Sequence, residues 1–377
     1  MGIDTVTERH LRNCCNELPA NPPEKRTVHG FDGYIDRVRI MVESRTGPND
    51  FQRMRSLATL EQRIGESVAL NNSCSIEWEE RDQRAGGHTS HLGRAFATLG
   101  FDPTVVGTYG TPPEAIFEQE LTGCSLVSIG SPSYSDAVEF NDGKFMINEI
   151  GSMETLDWET LHNHVDLSSL IKIIDGADAL STGYWSTMPF LSSIWDGLRT
   201  DIWPSLSNPP KMVFVDPADV RRMSDKRIKR GLRPLKQLNN RIQVTVSANR
   251  RETGVLASLS GDDGNDFKTV AQQAKDVLEV SRYLAHTVDR SILVTDDITT
   301  VAQTPRVAEP ELTASAGDHF NAGFILGDIL GLSDTASLML GNVVANWFVR
   351  HGRPPEYDEL LDFLDEFEAY FEGDTQT

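Results

Sequence analysis

The chain has 377 residues, of which 39% are hydrophobic, and a formal net charge of −21. That length allows a sizeable α/β core with an insertion, and the negative charge disfavours non-specific binding to nucleic acid or to an anionic membrane surface. No apolar run approaches the length needed to cross a bilayer, so neither nucleic acid nor membrane is expected as a partner.

Residues 1–26 are polar, without the apolar stretch of a secretory leader, and Val6 stands where myristoylation after Gly2 needs Ser or Thr. Cys14, Cys15, Cys74 and Cys124 have no C-x-x-C spacing and suit a reducing compartment. The expected location is therefore the cytoplasm.

In chain order, Thr27–Phe31 reads as a strand followed by a tight Gly30–Gly33 turn. Residues 37–85 are mixed, polar and poorly periodic, with a strand-like piece at Ser75–Glu79. A helix is predicted from Ser90 to Leu99, stopped by Gly100, and a strand at Thr104–Val106. Asp136–Phe140 and Lys144–Ile150 flank Asn141-Asp142-Gly143, a hairpin signal. From there the alternation is regular. Strand-like runs are Ala179–Thr182, Met212–Asp216, Ile242–Ser247 and Ile292–Thr295, with helical stretches between them, notably Val270–Ala285. Glu356–Asp374 carries nine acids and no Lys or Arg, yet Leu360, Leu361, Phe363, Leu364, Phe367 and Phe371 recur at helical spacing. This predicts a docked amphipathic helix rather than a disordered tail.

Strands spaced by helices predict an α/β fold with a central, mostly parallel sheet flanked by helices. The hairpin and the 37–85 region do not fit that alternation. They read as a small β lid, with segments roughly 37–85 and 134–151 inserted into one domain spanning 1–377. Ligands of open α/β sheets lie beyond the carboxyl ends of the strands, so the turns after Phe31, Thr182, Asp216, Ser247 and Thr295 are candidate linings.

The strongest chemical motif is Thr313-Ala314-Ser315-Ala316-Gly317-Asp318-His319-Phe320-Asn321-Ala322-Gly323-Phe324, small residues leading into a helix that begins near Gly317. Free amides at a helix start beside small side chains can approach a phosphate closely. An acid in the first turn also stabilises a helix by itself, which is the plain structural account of Asp318.

The string resembles the second signature of the ribokinase-like (PfkB) carbohydrate kinase family. Further matches follow in order. Gly86-Gly87-His88-Thr89-Ser90-His91 with Leu99-Gly100 resembles the first signature, Asn249-Arg250-Arg251-Glu252 the family's N-x-x-E element, and Gly30–Asp36 its sugar-holding strand end. The hairpin and Gly183-Tyr184-Trp185 lie where the family places lid strands and a substrate loop. The resemblance covers about residues 27–370.

The resemblance implies a small-molecule kinase that passes a phosphoryl group from a nucleotide, ATP foremost, to a hydroxyl of a sugar-like substrate. Asp318 would be the base, and the backbone of Ser315, Ala316 and Gly317 with Asp318 the anion hole. Asp36, Asp32, Gly86, Gly87 and His91 would face the substrate. Asn249, Thr295, Gly317 and Asn342 would face the nucleotide, while Glu252 and Asn249 would organise Mg²⁺ through water. A homodimer through the lid is a candidate assembly. The alternatives are a nucleoside kinase of the same fold and a degenerate sugar- or nucleotide-binding protein.

Plain structural accounts compete for most of these residues: a helix N-cap for Asn249, tight turns for Gly86 and Gly87, and turn formation beside Gly33 for the acids. The sequence also departs from the family pattern. His91 replaces an Asn, and its imidazole would narrow the pocket and bring a group that titrates near neutrality. Leu312 replaces an Asp, which puts potassium activation in doubt. Ser315 replaces a Gly, a mild change provided its backbone is not left-handed. Thr295-Asp296-Asp297 puts two acids near the expected polyphosphate. His88 and His91 sit three apart, but no carboxylate partner is evident nearby and a structural role is expected. The basic run from Arg221 to Arg230 reads as a solvated helix.

Overall fold

A computed structural model describes residues 2–261 and 266–373. Residues 1, 262–265 and 374–377 of the expected domain, including Asp374 of the acidic tail, lie outside the described residues. The strands in chain order are β1 (Arg26–Phe31), β2 (Tyr34–Gly47), β3 (Asp50–Arg53), β4 (Glu77–Gly86), β5 (Asp102–Gly107), β6 (Ser125–Ser128) and β7 (Ser133–Phe140). They continue with β8 (Gly143–Glu149), β9 (Ala179–Gly183), β10 (Met212–Val215), β11 (Gln243–Asn249), β12 (Arg282–His286), β13 (Arg290–Val294) and β14 (Thr299–Gln303).

Nine strands form one sheet in the order β14-β13-β12-β11-β10-β9-β1-β5-β6. It is parallel from β6 to β12 and ends in the antiparallel hairpin β13–β14. Alternate residues go to opposite faces, as the two-residue period of a strand requires. On β10, Val213 and Val215 enter one core with Leu180, Trp195 and Val246, while Met212 and Phe214 enter the other with Leu92, Phe96, Phe324 and Leu340. Burying each large apolar side chain contributes roughly 1.5–3 kcal/mol, so two cores made from one sheet need helices on both faces.

The chain builds β1, β5 and β6 outward in one direction and then β9 to β12 in the other. The gap between β1 and β9 is therefore the switch point, and the crevice beyond their carboxyl ends is where such sheets bind ligands. The helix His88–Thr98 and the helix Ala316–Leu330 both point their N-termini into that crevice.

A second sheet, the lid, runs β3-β2-β7-β8 with β4 on the other side of β2. It encloses its own small core of Met41, Met54, Leu60, Val138 and Phe140. The helix Leu57–Ala69 supplies Leu60, so the 37–85 region is not strands alone. The strand-like piece expected at Ser75–Glu79 is shifted and lengthened into β4, whose run of charges hides any alternation because most of it is exposed.

The helix expected over Val270–Ala285 is corrected. It covers Phe267–Leu278, ends at Glu279 in a left-handed conformation with φ of 52°, and gives way to β12. Tyr283–Ala285 is a short apolar run buried on both faces, which periodicity cannot tell from helix. The acidic tail docks as expected: Leu360, Phe363, Leu364, Phe367 and Phe371 enter the second core from helical segments within Tyr357–Gly373.

Candidate active site

The crevice opens into a cleft of about 720 Å³ between the main sheet and the lid. Its floor includes Gly87, His91, Tyr184, Ala314, Ser315 and Asp318, and its lid side includes Asp36, Arg84, Lys144 and Asn148.

Asp318 lies in the first turn of the Ala316–Leu330 helix and is only 6% exposed. The Tyr184 hydroxyl donates to both of its carboxylate oxygens, at 2.9 and 3.0 Å. Burial pushes the carboxyl up to about 7, against the opposing pull of the Tyr184 hydrogen bond. A carboxylate poised near neutrality is suited to take a proton from a hydroxyl.

The amides of Gly317 and Asp318 have no backbone acceptor among the described residues, as expected at a helix start. The Ala316 amide faces the Thr313 carbonyl at 3.3 Å and is the least available of the expected anion hole. Ser315 is left-handed, with φ of 67°, so the condition for a mild exchange of Gly for Ser is not met. It holds a conformation costing on the order of 1–2 kcal/mol for a residue with a Cβ. The Ser315 hydroxyl meets His91 Nε2 at 2.8 Å, which ties the two substituted positions together. Burial, aided by Arg94, holds His91 far below its ordinary value, so its expected titration near neutrality is corrected: it is a neutral wall of the cleft.

The two expected substrate acids part company. Asp36 lines the cleft, and its carboxylate accepts no hydrogen bond among the described residues. Burial raises it to about 6, with Lys144 and Arg94 pulling down and Asp318 pushing up. Asp32 instead lies under the cleft, fully buried, and accepts from the His88 and Thr89 amides at 2.8 and 2.9 Å and from the Thr89 hydroxyl at 2.9 Å. It anchors the start of the His88–Thr98 helix from another element. Gly86 and Gly87 make room for these acids: a Cβ on Gly86 would stand 2.2 Å from Asp36 Oδ2, and one on Gly87 would stand 2.8 Å from Asp32 Oδ2.

The expected nucleotide and metal residues lie outside the cleft lining. Asn249 Oδ1 accepts from the Arg251 and Glu252 amides, and Glu252 Oε2 accepts from the Asn249 amide at 2.9 Å, a complete capping box. The other Glu252 oxygen takes no backbone hydrogen bond, and burial with nearby Asp216 raises the carboxyl to about 8. A buried carboxyl with one free oxygen fits a cation held through water, whereas both acceptor directions of Asn249 are engaged. Thr295 turns the β13–β14 hairpin, its hydroxyl accepting from the Asp297 and Ile298 amides. The neighbouring Asp296 is neutralised by Lys275 at 2.5 Å, so only Asp297 stays as a bare acid there. Asn342 is buried and donates to the Gln303 carbonyl at 3.4 Å, holding the Asp334–His351 helix to β14.

The structure adds groups that local spacing missed. Asp216 ends β10 and accepts from the Asn321 side chain and the Ala218 amide, each at 2.8 Å. Burial raises it to about 7. His88 does have carboxylate partners: its Nδ1 lies 3.9 Å from Asp216 and 3.8 Å from Asp318. They come from β10 and the Ala316–Leu330 helix, which no inspection of the His88 neighbourhood could reveal. Of the basic run, Arg222 lines the cleft and Arg227 donates to the Trp185 and Ser186 carbonyls, so it is not a wholly solvated face.

Known proteins resemble this chain along nearly its whole length. A family profile described as prokaryotic ketohexokinase matches residues 3–367. A ketohexokinase of Haloferax volcanii is 42% identical over 370 residues, covering 98% of this chain and 99% of that one. Adenosine kinase from Sinorhizobium meliloti superposes with a TM-score of 0.64 at 15% identity, over 91% of this chain and 99% of that one. Arabidopsis thaliana ribokinase, solved with ribose and ATP, gives 0.61 at 17% identity over 91% and 98%. At such identities the last two likenesses establish the fold alone, the ribokinase-like one.

Proposed function

The chain belongs to the prokaryotic ketohexokinase family of ribokinase-like carbohydrate kinases, and on that premise we propose that it transfers the terminal phosphoryl group of ATP to a hydroxyl of a six-carbon ketose, with Asp318 as base. The observation that carries this reading is the placement of Asp318. It is buried at the helix start beside the Gly317 and Asp318 amides, which have no backbone acceptor, is gripped by Tyr184, and shares one cleft with Asp36.

Asp36, Arg84, Lys144 and Asn148 offer donors and acceptors to a polyol. The aromatic side chains of the cleft are Tyr34, Tyr184 and Phe348, and Tyr184 is committed to Asp318, which disfavours a nucleoside as acceptor. As the acceptor loses its proton to Asp318, the Gly317 and Asp318 amides would receive the charge growing on the phosphoryl oxygens. Mg²⁺ would neutralise polyphosphate charge, held through water by the free oxygen of Glu252 with Asn249 shaping that turn. Trp78 and Ile147 remain exposed on lid strands and support pairing of two copies there. The unpaired state of all four cysteines suits the cytoplasm, where ATP is made and used.

The test is ADP release from ATP with fructose, ribose and adenosine as acceptors. Turnover should be at least about tenfold faster with the ketohexose, the discrimination one or two well-placed polar contacts supply. Equal or faster turnover with adenosine would overturn the assignment.

A further inference from the structure

A buried chain of polar side chains leads from the middle of the sheet to the base, and the proposed reaction does not yet use it. Thr27 Oγ1 lies 2.9 Å from His29 Nε2, and His29 Nδ1 lies 2.7 Å from Ser181 Oγ. Ser181 Oγ lies 3.0 Å from His88 Nε2. All four residues are at most 1% exposed. The chain crosses the β1–β9 junction, where His29 and Ser181 are register partners. It ends at His88 Nδ1, which is buried without a hydrogen-bond partner and lies between Asp318 and Asp216.

A hydroxyl has one hydrogen to donate, so a proton on His88 Nδ1 sets every donor along the chain. Burial keeps both imidazoles neutral, so each ring carries one N–H and one lone pair. If His88 Nδ1 carried the lone pair, it would face the lone pairs of Asp216 and Asp318 whenever both are ionised, an unfavourable arrangement. If Nδ1 carries the proton, every link is satisfied. The Thr27 hydroxyl donates to His29 Nε2, His29 Nδ1–H to Ser181, the Ser181 hydroxyl to His88 Nε2, and His88 Nδ1–H points at the acids.

We propose that His88 is a positioning residue for phosphoryl transfer: its Nδ1–H faces Asp216 and Asp318 in the tautomer that the Thr27–His29–Ser181 chain supports by donating to Nε2, and it favours the ionised, proton-accepting form of Asp318. The separations of 3.8 and 3.9 Å exceed a direct hydrogen bond, and such contacts commonly tighten only when substrate is bound. The groups facing His88 from each side are Asp32 below its own helix, Asp216 from β10, Asp318 and Tyr184 from the cleft floor, and His29 from β1, with His91 next on its own helix. Among them His88 presents the side-chain N–H that lies between the two carboxylates, and Tyr184 grips Asp318 from the other direction.

The inference rests on Asp318 being the base, and the experiment separates the two. The pH dependence of kcat/KM is measured for the wild type and for H88N, H88Q, S181A and D318N, with melting temperatures alongside. An Asn amide reaches about where Nδ1 stands and can still donate to the acids, whereas a Gln amide reaches toward Nε2 and Ser181. H88N should keep the acid limb. H88Q should move it up by about one pH unit, on the order of a tenfold loss below the limb. S181A should move it in the same direction by less. If H88Q does not fold, S181A decides. Folded H88N and H88Q with the same limb, or folded S181A with the wild-type limb, overturn the proposal. So would calorimetric binding of Zn²⁺ to wild type that both His88 variants lose, since Nδ1 would then be a bare ligand. An active D318N defeats the base assignment itself, whereas an inactive D318N beside unshifted His88 and Ser181 variants defeats only the present inference.

Discussion

The cleft, the proposed acceptor end, and the turns proposed for the donor, which lie outside its lining, differ in how their polar groups are employed. At the acceptor end, Asp36 has a free carboxylate and His88 Nδ1 is buried without a partner. Asp318 is reached by a single hydroxyl from another residue. At the donor end, Asn249 and Glu252 satisfy one another and the backbone, Thr295 closes a turn, and Asn342 pins a strand. Fully paired polar groups stabilise a fold, and unpaired buried ones are costly unless a ligand completes them. The difference teaches that the acceptor end is built to be completed by substrate. The proposed donor end is built first as scaffold, and a nucleotide bound there would meet mainly backbone and whatever oxygen the capping box leaves over.

The largest effect that could break this contrast is at Asp318. Asp318→Asn keeps size and the contact with Tyr184 but cannot accept the proton, and turnover should fall on the order of 10²–10⁴-fold. Calorimetric sugar binding and the circular dichroism spectrum should be retained. Turnover within a few-fold of wild type would make Asp318 a helix stabiliser and the acceptor end as structural as the donor end.

A smaller effect is expected at Glu252. Glu252→Gln preserves the acceptor of the capping box, so stability should change by no more than about 1 kcal/mol. The Mg²⁺ concentration for half-maximal rate should rise several-fold, because a neutral amide orders cation-bound water less well. An unchanged Mg²⁺ titration would reduce the donor end to scaffold alone.

The smallest effect sharpens the contrast through pH. Burial raises Asp32 and Asp36 to about 6, Asp216 and Asp318 to about 7, and Glu252 to about 8, from ordinary values of 3.8 and 4.5. Each is raised on folding, so the stability it contributes is fully present below its unfolded value and is lost as pH rises through its folded value. The melting temperature should therefore be higher at pH 6 than at pH 8.5 at constant ionic strength. Asp318→Asn, which removes one of these groups, should flatten the difference. A melting temperature that rises with pH over this window would contradict the burial of these acids.

How much of this was legible depended on whether partners are neighbours in sequence. Asp318 could be read because its small-residue approach and its helix are contiguous with it. Asn249 and Glu252 could be read as a cap because a capping box spans four consecutive residues. Asp216 and Tyr184 were visible only as strand-end and loop residues, since their meaning comes from meeting Asp318 across the switch point. His88 was given a structural role for want of a carboxylate, and the carboxylates arrive from β10 and the Ala316–Leu330 helix. Asp32 and Asp36 share one short segment and looked alike, but only the folded chain puts one beneath a helix and the other in the cleft. The backbone of Ser315 was illegible too, because Ser gives no sign of a left-handed conformation that Gly would advertise.

Strand β2 is a single continuous element from Tyr34, at the cleft, to Gly47, at the far rim of the lid. At about 3.3 Å per residue its fourteen residues make an arm of roughly 45 Å. Asp36 sits near the cleft end, and of the three irregularities in the pairing of β2 the one with β4 between Val38 and Arg39 is nearest to it. From that bend to Gly47 the arm is about 30 Å long, so a tilt of about 10° there would sweep the rim through roughly 5 Å. A hydroxyl drawn against Asp36, its proposed ligand, would act on the short side of that lever, so that a small displacement at the sugar would become a larger swing of the roof above it.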